Sequence, residues 1–151
     1  MVSTGSTSGG GPNDGGGAGY SGTPLPRKLG VTDAHVVLLD RLPDGLDLGL
    51  PPTAHVVRRL REGLDVTLTF HTRLATLEAR LPALFAHTVT AGSVWVCWPK
   101  QAAVKRLGID TDLNDNVVRA AGLFLGWVDV KVAAIDETWS GQKFVRRLVD
   151  R

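Results

Sequence analysis

The sequence predicts an α/β domain on an open, mostly parallel sheet whose last two strands form an antiparallel hairpin. Three observations carry this. Short continuous apolar runs, "HVVLLD" and "SVWVCWP", have the pattern of strands covered on both faces. Stretches with apolar residues at helical spacing alternate with them, above all "RLATLEARLPALFAHTV". Near the C-terminus, "WVDVKVAAID" and "QKFVRRLV" flank a short polar segment, as the arms of a hairpin do.

Residues 1–19 are Gly, Ser and Thr with almost nothing apolar. Such a stretch cannot bury enough surface to offset chain entropy, so it is expected to be a disordered tail, with the α/β domain on residues 20–151. Its glycines are expected to be linker rather than a phosphate loop, since no strand precedes them and no GK[ST] follows. Order is expected from Tyr20. Thr23 is expected to cap a short helix with Pro24 in its first position, and Gly30 suits a left-handed stop.

Strands are expected at His35–Asp40, Ala54–Arg58 and Leu64–His71, with a Pro- and Gly-broken loop, "RLPDGLDLGLPP", between the first two. Leu74, Leu77, Leu81, Leu84 and Phe85 then mark a helix, which Pro82 should kink or restart. Ser93–Trp98 is a buried strand ended by Pro99. "QAAVKRLGIDT" reads as a loop with at most one helical turn. Asp112 is expected to cap the next helix, with Asp115 favouring its positive end and Gly126 ending it. In the following strand Asp129 and Lys131 alternate with Val128, Val130 and Val132, which suggests one exposed face.

Composition bounds the function classes. The chain has 151 residues, 43% hydrophobic and 21% charged, as globular soluble proteins do. No apolar run is long enough to cross a membrane, and no basic segment followed by an apolar stretch opens the chain, so no secretory signal is expected. The single cysteine, Cys97, reads as a buried thiol, and a cytoplasmic location is the expectation. Net charge is +2, too small an excess to argue for nucleic acid. The basic clusters, Arg27-Lys28, Arg58-Arg59-Arg61, Lys105-Arg106 and Arg146-Arg147, read as solvated faces. No HExxH or Cys–His cluster offers a metal site, and no GxSxG offers a nucleophile elbow.

Ligands of open parallel sheets bind outside the carboxyl ends of the strands. The first strand delivers Asp40 to that edge, the third His71, the fourth Lys100, and the fifth Asp136 and Glu137, with Trp139 rising in the turn. A polar rim with one flat aromatic wall suits a small planar or cationic ligand. Each residue also has a plainer use. "ETWSG" would serve as a hairpin with Ser140-Gly141 as its turn, His71 as a satisfied histidine, Lys100 as a surface lysine and Asp40 as a loop cap.

The segments "GYSGTPLPRKLGV", "SVWVCWPK" and "AIDETWSGQKFVRR" together resemble a family of bacterial proteins catalogued as a domain of unknown function. The resemblance spans Tyr20 to about Arg147 and brings no established activity. The layout also resembles class I methyltransferases, which end in a similar strand, turn and antiparallel strand. That resemblance implies a Rossmann-like, truncated methyltransferase-like sheet. It departs from the family where the chemistry lives: "VVLLDRLPDGL" lacks the glycine-rich loop, and Arg58-Arg59 stands where those enzymes place an acid for the ribose hydroxyls. Arginines suit phosphate better than a diol.

The first expectation for function is therefore a non-catalytic domain that binds a small molecule, phosphorylated or not. Asp136 and Glu137 would be acceptors, Trp139 a stacking wall, Lys100 a positive contact, and Thr23 with its helix end an anion contact. An alternative is an active transferase using a nucleoside-type cofactor, with Asp40 near the ribose and His71 as base. A third is a protein-interaction module presenting Trp139 and nearby apolar atoms. The residues name no cofactor.

Overall fold

A computed structural model describes residues 22–151 of the chain. The expected tail and the expected onset of order at Tyr20 lie outside the described residues. The elements in chain order are α1 (Leu25–Leu29), β1 (Val36–Asp40), β2 (His55–Val57), β3 (Leu64–Phe70), α2 (Leu74–Ala86), β4 (Thr88–Pro99), α3 (Gln101–Leu107), α4 (Asp115–Phe124), β5 (Trp127–Ala134) and β6 (Trp139–Arg146). They form a six-stranded sheet in the order β2-β1-β3-β4-β6-β5. Strands β1 to β4 pair in parallel, and β6 runs antiparallel to both its neighbours. The mostly parallel sheet with a C-terminal hairpin is thus the fold the chain adopts.

The hairpin is turned inward, so the last strand sits between β4 and β5. Burial explains the choice. On β6, Gly141, Gln142 and Phe144 are buried, while β5 exposes Val130, Lys131 and Val132, so β5 takes the edge. Gly141 makes the insertion possible. A Cβ there would lie 3.0 Å from Ile135 Cδ1 and 3.1 Å from the Trp95 ring. The one-face pattern expected for β5 does not hold: a register shift between Asp129 and Lys131 breaks the alternation, and Val130 and Val132 face out.

Successive residues point to opposite faces, which gives two cores. On one face Val37, Leu39, Val66, Leu68, Phe70, Trp95 and Cys97 pack under α1 and the loop after β1, whose Leu46, Leu48 and Leu50 stand in for a helix. On the other, Val94, Val96, Trp98 and Phe144 pack against Leu77, Leu81 and Phe85 of α2 and Val118 of α4. Phe85 stacks on Trp127 with ring centroids 4.0 Å apart, and the Arg146 guanidinium lies 4.8 Å from the same indole.

Several local expectations are corrected. Helix α1 is capped by Pro24, not Thr23, with no side-chain cap bond; the proline's extended ψ of 145° moves the start one residue on. Asp112 does not cap α4. Asn114 does, its side chain accepting from Val117 N at 2.9 Å, while Asp112 Oδ1 accepts from Leu74 N at 2.7 Å and so caps α2 across the fold. "QAAVKRL" is a seven-residue helix, stopped by left-handed Gly108. Helix α2 runs through Pro82 unbroken. Pro82 and Glu78 are exposed, so the carbonyl left without a donor can reach water, and burial of Leu77, Leu81, Leu84 and Phe85 holds both halves in line. Strand β4 starts five residues early, at Thr88 rather than Ser93. Gly92 permits this, since a Cβ there would meet Asp65 O at 2.9 Å and Leu64 O at 3.0 Å.

Candidate ligand-binding site

Register builds the edge. Asp40 pairs with Thr69, Phe70 with Cys97, and Pro99 with Trp139. The ends of β1, β3 and β4 therefore meet the start of β6 along one border. The end of β5 joins them through the Ile135–Thr138 connection, where Ile135 N and Asp136 N both donate to Trp139 O. Ser140 and Gly141 lie in β6 rather than in the turn. The turn is made by Asp136, whose Oδ1 accepts from Thr138 N at 2.8 Å and Trp139 N at 2.7 Å.

The expected site residues separate onto the two faces of this border. Asp40, Thr69 and His71 point toward α2, while Phe70, Cys97 and Trp139 point to the other side. On the α2 face a polar network fills the space. Arg80 grips Asp40 with Nη2 to Oδ1 at 2.8 Å and Nε to Oδ1 and Oδ2 at 3.2 and 3.3 Å. Thr69 donates to Asp40 Oδ2 at 2.7 Å and lies 2.7 Å from His71 Nε2. Thr69 has one proton and gives it to Asp40, so Nε2 carries the imidazole proton and donates to Thr69. Thr76 Oγ1 has two acceptors in reach, Nδ1 at 2.9 Å and Arg73 O at 3.0 Å, and shares its one proton between them.

His71 is 2% exposed and Asp40 5%. Burial, followed by the positive charge of Arg41 and then of Arg80, lowers the His71 pKa to about 4, against the opposing pull of Asp40. Both ring nitrogens are thus within hydrogen-bond distance of threonine hydroxyls, and the ring is shut away from the surface. Asp40 is likewise held, by Thr69 and Arg80.

On the other side, Trp139 is half-buried. Its ring meets Phe70 edge-to-face, with centroids 5.3 Å apart. Lys100 joins the turn through its backbone, N to Thr138 O at 2.8 Å, and its side chain is partly exposed. Glu137 is exposed in the same turn. Cys97 is buried beneath, and burial, then the nearby Asp136 carboxylate, push its thiol pKa well up, so it is a packing thiol and not a nucleophile. Thr23 precedes a five-residue helix whose far end is held by Trp95 Nε1 on Leu29 O at 3.1 Å. So short a helix offers little dipole to an anion.

Sequence reasoning missed Arg80, Thr76 and Arg41. Thr76 and Arg80 are four residues apart on one helical turn, so they share the face that meets the carboxyl edge. Arg41 follows Asp40 directly and adopts φ 60°, which no pattern of residue types announces. Among the described residues no group of three or more His, Cys, Asp or Glu side chains comes together to hold a metal ion. None of the helices described is long and apolar enough to cross a membrane.

The sheet order and the inserted antiparallel last strand define a Rossmann-like α/β fold of the methyltransferase type. Solved structures of that type superpose on the chain. The N-methyltransferase NodS from Bradyrhizobium japonicum WM9 is similar with TM-score 0.54 and 10% identity, covering 80% of this chain and 88% of that one. Its complex with S-adenosyl-l-homocysteine gives 0.56 and 12%, covering 80% and 82%. Magnesium protoporphyrin IX methyltransferase ChlM from Synechocystis PCC 6803, with bound SAH, gives 0.52 and 8%, covering 76% and 74%. At such identities the likeness is one of fold. No protein-family model and no curated protein matches the chain.

Proposed function

We propose that the chain is a small-molecule-binding domain on a methyltransferase-like sheet, binding at the carboxyl edge without catalysing a reaction there. The closed state of the Asp40–Thr69–His71–Thr76 chain carries this reading: the residues best placed to do acid–base work are consumed by one another and by Arg80. What the edge still offers is a binding surface, with the Trp139 ring, the Lys100 ammonium and the free oxygen of Asp136. The methyltransferases of similar fold were solved with SAH, so adenosyl compounds head the ligands to try.

Thermal unfolding with S-adenosylmethionine, SAH, adenosine and nucleotides tests it. A binder at 100 times its dissociation constant adds about 2.7 kcal/mol of stability. It should also change Trp139 emission and leave the compound chemically intact. Methyl transfer from S-adenosylmethionine to any acceptor would replace binding by catalysis.

A protein partner is the second reading, and it moves from Trp139 to another surface. Leu74, Leu81, Pro82, Val117 and Ala121 line an apolar groove of about 620 Å³ between α2 and α4, and Phe124 at its lip is 89% exposed. A second copy is the occupant we propose, because knob and groove share one face, as a two-fold contact requires. Sedimentation of the chain and of Phe124→Asp decides: a dimer lost in the variant supports it, and a monomer at high concentration removes it.

A further inference from the structure

We infer that the carboxyl edge of β1 and β2 is an anion seat, made by Arg41 and Arg58 and suited to the phosphate group of a ligand. This rests on, and narrows, the reading of that edge as a ligand-binding surface.

The first observation is a strained backbone. Arg41 has φ 60°, a left-handed conformation that a residue with a Cβ holds at a cost of about 1–2 kcal/mol and glycine holds freely. Ala34 shares the conformation, but at a turn before β1, away from the edge. At Arg41 the twist brings the guanidinium back over the strand ends, where Nε donates to Phe70 O at 3.2 Å. The bond uses one of five donors and fixes the plane of the rest.

The second observation is a matching arginine next door. Val57 pairs with Leu38, so Arg58 leaves β2 level with Leu39, and its Nε donates to Leu39 O at 3.3 Å. Both side chains are therefore tied at Nε to carbonyls at adjoining strand ends. Among the described residues, the outer nitrogens of both make no hydrogen bond or ion pair, and both residues are exposed. Two half-fixed guanidinium forks at one sheet edge are the donor set that phosphate oxygens accept from.

The third observation is charge. The one carboxylate at the end of β1, Asp40, is taken by Arg80 and Thr69 and is buried. His71 is neutral. Arg41 and Arg58 thus present two positive charges with no acid assigned to either. Asp40 has lost the freedom to bind a ribose diol, and the arginines favour an anion in its place.

Unfolding temperature in sodium phosphate against sodium chloride of equal ionic strength, near pH 7.5, tests the seat. A saturable rise with phosphate is expected. Arg41→Gly is the informative variant, since glycine suits φ 60° and the fold should be as stable or more so. It should weaken the phosphate response about tenfold or more, as should Arg58→Ala, while Arg59→Ala keeps it. No phosphate response in the unaltered chain, or an equal response in Arg41→Gly, overturns the seat. If adenosine stabilises the chain and Arg41→Gly alike while phosphate is silent, the anion seat falls and the ligand-binding edge stands. If phosphate acts as expected and no adenosyl or nucleoside compound binds, the seat stands and the adenosyl ligand falls.

Discussion

Acidification should cost this fold stability at one identifiable group. His71 is neutral in the folded chain with a pKa near 4, against 6.5 for the free side chain. The unfolded chain therefore binds a proton that the folded chain refuses between those values, and stability falls as pH drops through that window. Above pH 6.5 both states hold the neutral ring and the contribution is constant. The gap, at about 1.36 kcal/mol per unit, amounts to about 3 kcal/mol lost from pH 7 to pH 4. Such a loss is a large share of the stability of a domain this size. Burial is the main cause and the Arg41 charge the next, so Arg41→Gly should raise the midpoint and shrink the loss. The assay is NMR titration of the four histidine rings, paired with urea unfolding at each pH. His71 should titrate near pH 4. A His71 ring that titrates at 6.5 or above would refute the sealed network and return the residue to the candidates for a base.

Further outcomes follow from the same contacts. Arg80→Met leaves the Asp40 carboxylate buried with Thr69 as its remaining side-chain partner; since the Arg80 side chain is about a third exposed, the expected loss is about 2 kcal/mol, read by chemical unfolding. Gly141→Ala should cost about 1–3 kcal/mol, because the added methyl meets Trp95 and Ile135. Trp139→Ala removes the edge contact to Phe70 but not a fully buried ring, so about 1–2 kcal/mol of stability should go together with the ligand response. A loss well above 3 kcal/mol would make the indole a core residue and take it out of the binding surface. Asp112→Ala should lower stability by about 1 kcal/mol through α2, visible as faster amide exchange at Leu74 and not at Val117.

The sheet was legible because its strands are covered on both faces. "HVVLLD" and "SVWVCWP" leave little alternative to a buried parallel strand, and the helix with Leu77, Leu81 and Leu84 shows its period plainly. The inward turn of the hairpin was not legible. It depends on a close approach of β6 to Trp95 that only the missing side chain of Gly141 allows. Caps were misassigned for a related reason: Asp112 has the right residue type beside α4, but its partner, Leu74 N, is distant in sequence. At the site, the strand ends predicted which residues reach the edge. Which face each takes is set by the period of two, and that placed Asp40 and His71 against α2 and Trp139 on the far side. The helix residues that seal the first pair, Thr76 and Arg80, looked like ordinary polar helix positions until the sheet was laid beneath them.

The most direct test is a map of backbone and indole NMR shifts as ligand is added, first phosphate and then the adenosyl compounds. Movement of the Trp139 indole and of the Arg41, Lys100, Asp136 and Thr138 amides, with the His71 ring unchanged, is the predicted pattern. Movement confined to Leu81, Val117 and Phe124, or a His71 ring that responds to the ligand, would contradict it.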